Sequence, residues 1–221
     1  MKSMKSPPHM SELRIVLLGE NSSEISRVGN FILNRDAFDT EAPPPSVEQH
    51  SERARGNVEG RYITLINTPH LFDPQLSVDQ TTARFKECLY LSAPGPHVFL
   101  LVLQSGALKK QDQERMRSIL DGPWFMNYTI ILSLDEGISH QAAAEAQKES
   151  NKPLYLIIRK SEEQHKVQVL QLLENIEQVV TLNGGGYLTY HINELLKAEE
   201  KTLAKESKRI KMPKLHSQSG M

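Results

Sequence analysis

The residues whose types and spacing reach toward chemistry are those of "GENSSEIS", Gly19 to Ser26, where an apolar run ends at a glycine and a serine stands seven positions on. This is the frame of G-x-x-x-x-G-K-[ST]. In that loop backbone amides cradle phosphates, the lysine neutralises the terminal ones, and the hydroxyl ligates magnesium. Here the frame holds Glu20, Asn21, Ser22 and Ser23, then Glu24 in place of the second glycine and Ile25 in place of the lysine, with Arg27 after Ser26. A charge-assisted hydrogen bond lost with the lysine is worth about 1.5–3 kcal/mol. A carboxylate about 4 Å from a phosphate charge, at an effective dielectric near 20, adds about 4 kcal/mol of repulsion, and less if it swings into water. A combined loss near 5 kcal/mol removes more than three powers of ten in affinity.

Other chemistry is thinly represented. The eight histidines form no H-x-x-x-H pair and have no cysteine or carboxylate at metal-ligand spacing. No G-x-S-x-G elbow occurs, and Cys88, the one cysteine, lies in a helical pattern and reads as a small buried residue rather than a nucleophile. A single cysteine excludes an internal disulfide framework and fits a reducing compartment, so a cytoplasmic setting is expected. With 26 basic and 27 acidic residues, no global pull toward nucleic acid or anionic lipid exists, and no nucleic-acid partner is expected. No apolar run is long enough to span a membrane.

The elements that must position the loop are legible as alternation. "LRIVLL" (13–18), "RYITLIN" (61–67), "HVFLLVL" (97–103), "YTIILSL" (128–134) and "LYLII" (154–158) are short, apolar and mostly unalternating, as strands buried on both faces of a parallel sheet are. "SERARGNV" is polar and joined to the second run by Glu59-Gly60, which predicts an antiparallel edge hairpin. Helical patterns fall at about 24–34, 79–92, 108–121, 138–150, 162–182 and 188–210. In the fifth, Val167, Leu170, Leu173, Ile176 and Val180 supply the apolar stripe and "NGGG" the stop. Strand-helix alternation implies a three-layer α/β domain. The organisation expected is a disordered leader over 1–11, one domain over 12–187, and a C-terminal helix with a basic tail over 188–221. The proline-bearing segment 34–54 is a long loop. Trp124, after Gly122-Pro123, is expected to cap the core.

"ELRIVLLG", "VGNFILN", "INTPHLFDP", "CLYLSAPGPHVFLLVLQSG" and "NGGGYLTYHI" follow one another as in the GTPases of immunity-associated proteins (GIMAP), which carry an avirulence-induced-gene type G domain. The chain resembles that family over about residues 12–195, most specifically in "LSAPGPHVFLLVLQ" (91–104). The resemblance implies a Ras-like P-loop NTPase fold with a mostly parallel sheet and a C-terminal helical extension. It also implies GTP or GDP with magnesium in the loop after the first strand, nucleotide-controlled assembly, and immune signalling at the cytosolic face of organelles. By matching motifs it assigns nucleotide contacts to Gly19, Glu20, Asn21, Ser22, Ser23, Glu24, Ile25, Ser26, Arg27, Asn67, Ser133, Glu136 and Arg159, and the magnesium to Ser26.

Each matched motif departs from the family pattern. Glu48 stands where the first switch has its threonine, and Asn67-Thr68-Pro69-His70 where the second begins D-T-P-G. The guanine-specificity motif T-[KR]-x-D is replaced by Ser133-Leu134-Asp135-Glu136, and the asparagine that faces the base by Arg159. The expectation is a pseudo-GTPase with weak or lost GTP binding. No catalytic residues are assigned. Its partners would be proteins, GIMAP-type paralogues or a second copy, with peripheral membrane contact through the basic tail. Two alternatives stay open: a guanine-nucleotide switch in which Ser26 and Glu48 share the metal, and a module of a longer protein with several G domains.

Overall fold

The structure, a computed structural model, describes residues 12–19, 21–41, 50–68, 71–72, 75–103, 114, 124–133, 154–158 and 164–188. The chain divides into two compact units, Met1–Tyr187 and Leu188–Met221. In order, the elements are β1 (Leu13–Gly19), α1 (Ser22–Leu33), β2 (Glu52–Val58), β3 (Arg61–Asn67), α2 (Val78–Leu91), β4 (Val98–Leu103), the single turn α3 (Trp124–Asn127), β5 (Thr129–Ser133), β6 (Leu154–Ile157) and α4 (His165–Leu182). The helical patterns read at 138–150 and 188–210 lie outside the described residues, as does 108–121 apart from Glu114.

The six strands among the described residues order as β2-β3-β1-β4-β5-β6. Among the described strands only β2–β3 is antiparallel; β1 pairs in parallel with β3 and β4, and β5 with β4 and β6. β1 is apolar but for Arg14 and buried along its whole length because helices cover both faces of the sheet. Ile15, Leu17, Ile63, Leu65, Leu100 and Leu132 form one core layer with Ile25, Val28 and Ile32 of α1 and with Val169, Leu172 and Ile176 of α4. On the other face Phe99 packs against Phe85 of α2 and Phe125 of α3, with ring centroids 6.0 and 4.7 Å away. Each such side chain contributes about 1.5–3 kcal/mol of burial.

The hairpin turn at Glu59 and Gly60 has φ of 50° and 84°, the double positive φ of a two-residue turn that matches strand twist. Asn57 Oδ1 accepts from the Gly60 amide at 3.1 Å and closes it. β2 is the polar edge; Arg35 donates to the Arg55 carbonyl at 2.9 Å, which guards an otherwise open strand. Helix α2 starts with a complete capping box, Ser77 with Gln80.

Helix α4 corrects the expected stripe. The buried positions are Val169, Leu172, Leu173, Ile176, Val179 and Val180, whereas Val167 and Leu170 are 64% and 38% exposed. Apolar residues occupy both possible phases of its first turns, so the helical period alone does not choose, and packing on the sheet does. Its end is as read: Gly184 and Gly185 take positive φ, and the Gly185 amide donates to the Val180 carbonyl at 2.8 Å.

At the amino end of the sheet one charge is buried. The Arg14 guanidinium donates to the Gly95 carbonyl (2.6 Å), pairs with Glu12 (3.3 Å) and lies 4.7 Å from the Tyr187 ring centre. The Arg14 amide donates to His97 Nδ1 at 2.9 Å. Burial first and the Arg14 charge second push His97 down to about 4. The Thr64 hydroxyl, donating at 2.6 Å, is the first cause holding the Glu12 carboxyl below its usual range.

Candidate functional site

In a mostly parallel sheet of this kind, ligands bind beyond the carboxyl ends of the strands, beside the turn that follows β1. β1 ends at Gly19, β3 at Asn67, β4 at Leu103 and β5 at Ser133, so the motif residues converge there by topology. What they present differs from what a phosphate needs.

The first difference is where α1 begins. The helix starts at Ser22, two residues ahead of the expected 24, so half of the span between Gly19 and Glu24 is helix rather than loop. Asn21 is the N-cap, with extended backbone, and its Oδ1 accepts from the Glu24 amide at 3.2 Å. The Ile25 amide donates to the Asn21 carbonyl at 3.0 Å. These two amides occupy the positions at which the motif's glycine and lysine would face phosphate. Both are spent inside the first helical turn.

The second difference is the direction of Ile25. Its side chain is fully buried and belongs to the core with Val28 and Ile32, one helical stripe at i, i+3 and i+7. It lies so near β1 that a Cβ at Gly19 would come within 3.0 Å of its Cγ1 and 2.6 Å of the Val102 carbonyl. Glycine is therefore required at 19 by the approach of β4 and α1.

The third is the pairing of the magnesium residue. Asn67 Nδ2 donates to Ser26 Oγ at 2.9 Å, both residues being buried. Asn67 Oδ1, one neutral oxygen, is buried with no partner among the described residues. Magnesium is a hard dication that takes carboxylates, waters and substrate phosphates in near-octahedral array. Among the described residues no group of three His, Cys, Asp or Glu could hold a metal. The described residues of this site do not fit a nucleoside triphosphate with magnesium.

Of the other expected contacts, Ser23 and Glu24 are half-buried, Ser22 is buried, and Arg27 is exposed on α1. Ser133 closes β5, paired in register with Leu103 and Ile157. Glu20, Glu48, His70, Glu136 and Arg159 lie outside the described residues, as does the Trp124 side chain. Cys88 is fully buried, as expected; its thiol is pushed up to about 12, mainly by burial. Sequence reasoning missed Asn21 as a cap, although Asn followed by Glu three residues later is an N-terminal helix signal. It also missed Glu87, whose carboxylate accepts from the Ser51 amide at 2.9 Å and meets His50 Nδ1 at 3.2 Å. No local pattern marks that pairing.

The layers, the strand order and the turn after β1 define a Ras-like P-loop NTPase fold, a G domain, with its first loop rebuilt. The AIG1 family model matches residues 13–207, and the chain belongs to the AIG1 family. It is 30% identical over 199 residues to GTPase IMAP family member 8 of Homo sapiens, covering 83% of this chain and 30% of that protein. It is 28% identical over 216 residues to immune-associated nucleotide-binding protein 5 of Arabidopsis thaliana, covering 87% of this chain and 70% of that one. A dimerization-deficient mutant of Toc33 from Arabidopsis thaliana shares the fold, with a TM-score of 0.59 at 13% identity over 79% of this chain and 86% of that one. Toc33 in complex with GDP and Mg2+ gives a TM-score of 0.55, also at 13% identity, over 78% and 85% of the two chains. The chain thus spans about a third of the human relative, and no described helix is long and apolar enough to cross a membrane.

Proposed function

We propose that this AIG1-type G domain is a pseudo-GTPase, a protein of the guanine-nucleotide-binding class that has lost nucleotide chemistry and acts through protein-protein assembly. The observation that carries this reading is the burial of Ile25 beneath a helix N-terminus already capped by Asn21. Opening a phosphate site there means unwinding a turn of α1 and drawing a core side chain into water. Residues 12–187 act as the G domain and 188–221 as its extension. The partners we infer are GIMAP-type chains or a second copy. The setting is cytoplasmic, at the cytosolic face of an organelle if the basic tail meets lipid. Dimerization is described as important for the GTPase activity of Toc33, which shares this fold, and that supports assembly between chains of this fold. The relatives' names place them in immunity, and we extend that role to this chain.

The test is thermal melting with and without millimolar GTP or GDP and magnesium. A ligand at 100 times its dissociation constant stabilises by about 2.7 kcal/mol. No shift is expected. A rise specific to guanine nucleotides would instead establish a working switch with an atypical phosphate loop.

A further inference from the structure

β2 lies at one end of the strand order, and among the described residues no strand pairs with its outer side. The hairpin decides which of its backbone groups face outward. A two-residue turn makes Val58 and Arg61 a pair that exchanges both hydrogen bonds, and along an antiparallel ladder bonded and unbonded pairs alternate. Gly56 and Ala54 therefore bond inward to β3, whereas Asn57, Arg55 and Arg53 turn their amides and carbonyls outward. The Arg55 carbonyl agrees with this phase, because it accepts from the Arg35 side chain at 2.9 Å. Arg53, Arg55 and Asn57 are all exposed, and their side chains share a face of the sheet with Thr64 and Tyr62, their cross-strand neighbours. Glu52 stands on the opposite face. Glu12 meets Arg55 at 3.9 Å but also pairs with Arg14, so positive charge is in excess along this edge. Beside Asn57 lies a depression of about 460 Å³, walled by Arg55, Thr64 and Tyr62, whose ring is 66% exposed.

Charge decides what this edge takes. Two copies of β2 paired antiparallel in a register centred on Arg53, Ala54 or Arg55 set arginine directly opposite arginine, which is destabilising. A register centred on Glu52 sets that acid opposite itself, and registers farther along run into the turn at Glu59. A second copy is therefore a poor occupant. We propose that the outer edge of β2 takes an extended acidic segment of a partner protein, added as a further strand antiparallel to β2. Its acids stand opposite Arg55 and Arg53, and a large apolar side chain opposite Asn57 covers the depression beside Tyr62. In the partner's own direction the segment reads large apolar-x-acid-x-acid, with alternate residues meeting this chain. A partner amide replaces Arg35 on the Arg55 carbonyl, and the freed guanidinium turns to a carboxylate. The inference goes beyond the reading above, since it needs neither nucleotide nor its loss.

The test is titration of the full chain, nitrogen-labelled, with the capped peptide Thr-Trp-Thr-Glu-Thr-Glu-Thr, followed through amide shifts in nuclear magnetic resonance. The Arg53, Arg55 and Asn57 amides are expected to move most, ahead of Ala54 and Gly56. In the added strand the Trp and Glu nitrogens face β2, and the Thr nitrogens between them face away. N-methylation of both Glu nitrogens is therefore expected to abolish binding, and N-methylation of the two intervening Thr nitrogens to leave it. Arg53→Glu combined with Arg55→Glu is expected to weaken binding about tenfold and to admit the peptide with lysine in place of glutamate. Edge amides that stay unmoved at millimolar peptide, equal loss from the two methylation patterns, or equal binding of the lysine peptide by the unaltered protein overturns the proposal. So does a shift of the edge amides with the concentration of the protein alone, which would put a second copy on the strand. The methylated peptides are read on the unaltered protein, so the test stands even where the double variant does not fold.

Discussion

Restoring the missing lysine provides the sharpest test of where position 25 points. In a phosphate loop Ile25→Lys would recover the charge that grips the terminal phosphates, and affinity would rise. In this structure the Ile25 side chain is fully buried in the core between α1 and the sheet. The substitution forfeits about 1.5–3 kcal/mol of apolar burial. It also desolvates an ammonium group, at an effective cost of several kcal/mol. A lysine that snorkels to water escapes the second cost but not the first, so the loss lies between about 2 and 6 kcal/mol. For a chain of this size each kcal/mol lowers the melting temperature by about 2–4 °C, giving a fall of about 10 °C near the middle of that range. Urea unfolding followed by circular dichroism measures the loss, and titration with a fluorescent GDP analogue reads affinity. The expected result is a destabilised protein with no gain in binding. An equally stable Ile25→Lys protein that acquires guanine-nucleotide affinity would refute the buried placement and the reading built on it.

Two further outcomes follow from particular contacts. Asn21→Ala removes the acceptor for the Glu24 amide and should cost about 1 kcal/mol in urea unfolding, the ordinary loss for an N-cap; Asn21→Asp should cost much less, since it keeps the cap. For His97 the folded pKa is depressed from 6.5 to about 4, so between these values the unfolded chain binds more protons than the folded one. Stability therefore rises with pH across that window, and is lost as pH falls from about 6.5 toward 4, by up to about 3 kcal/mol. Unfolding curves for the protein and for His97→Asn should converge as pH falls; parallel curves would mean that the ring is not the titrating group.

How much was legible follows from which forces are local. The strands were readable because burial on both faces of a parallel sheet leaves unalternating apolar runs, and Glu59-Gly60 announced its turn through positive φ. The phase of α4 was not readable, because Val167 and Val169 are equally apolar and only the sheet decides between them. Arg14 was absorbed into an apolar run; its burial depends on Gly95 and His97, more than 80 positions away. At the site, the losses at 24 and 25 were plain from residue type. That the amides at those positions are also spent was not, since it depends on where α1 starts.

The two motif residues that survive invite the opposite conclusion, that nucleotide binding has kept them, and their surroundings argue against it. Gly19 must lack a side chain because the Val102 carbonyl would stand 2.6 Å from a Cβ, a clash with backbone that no phosphate is needed to explain. Ser26 accepts from Asn67 in the interior, and its loss would strand a second atom of that amide without a partner. Both therefore have a role in the packing and hydrogen bonding of the protein with itself. The departures are physically coupled in the same way. With Ile25 in the core, α1 starts two residues earlier than expected, Asn21 is its cap, and Asn67 binds Ser26. On the pseudo-GTPase reading proposed above, a phosphate site would therefore call for changes at positions 21, 24, 25 and 67 together rather than at 25 alone.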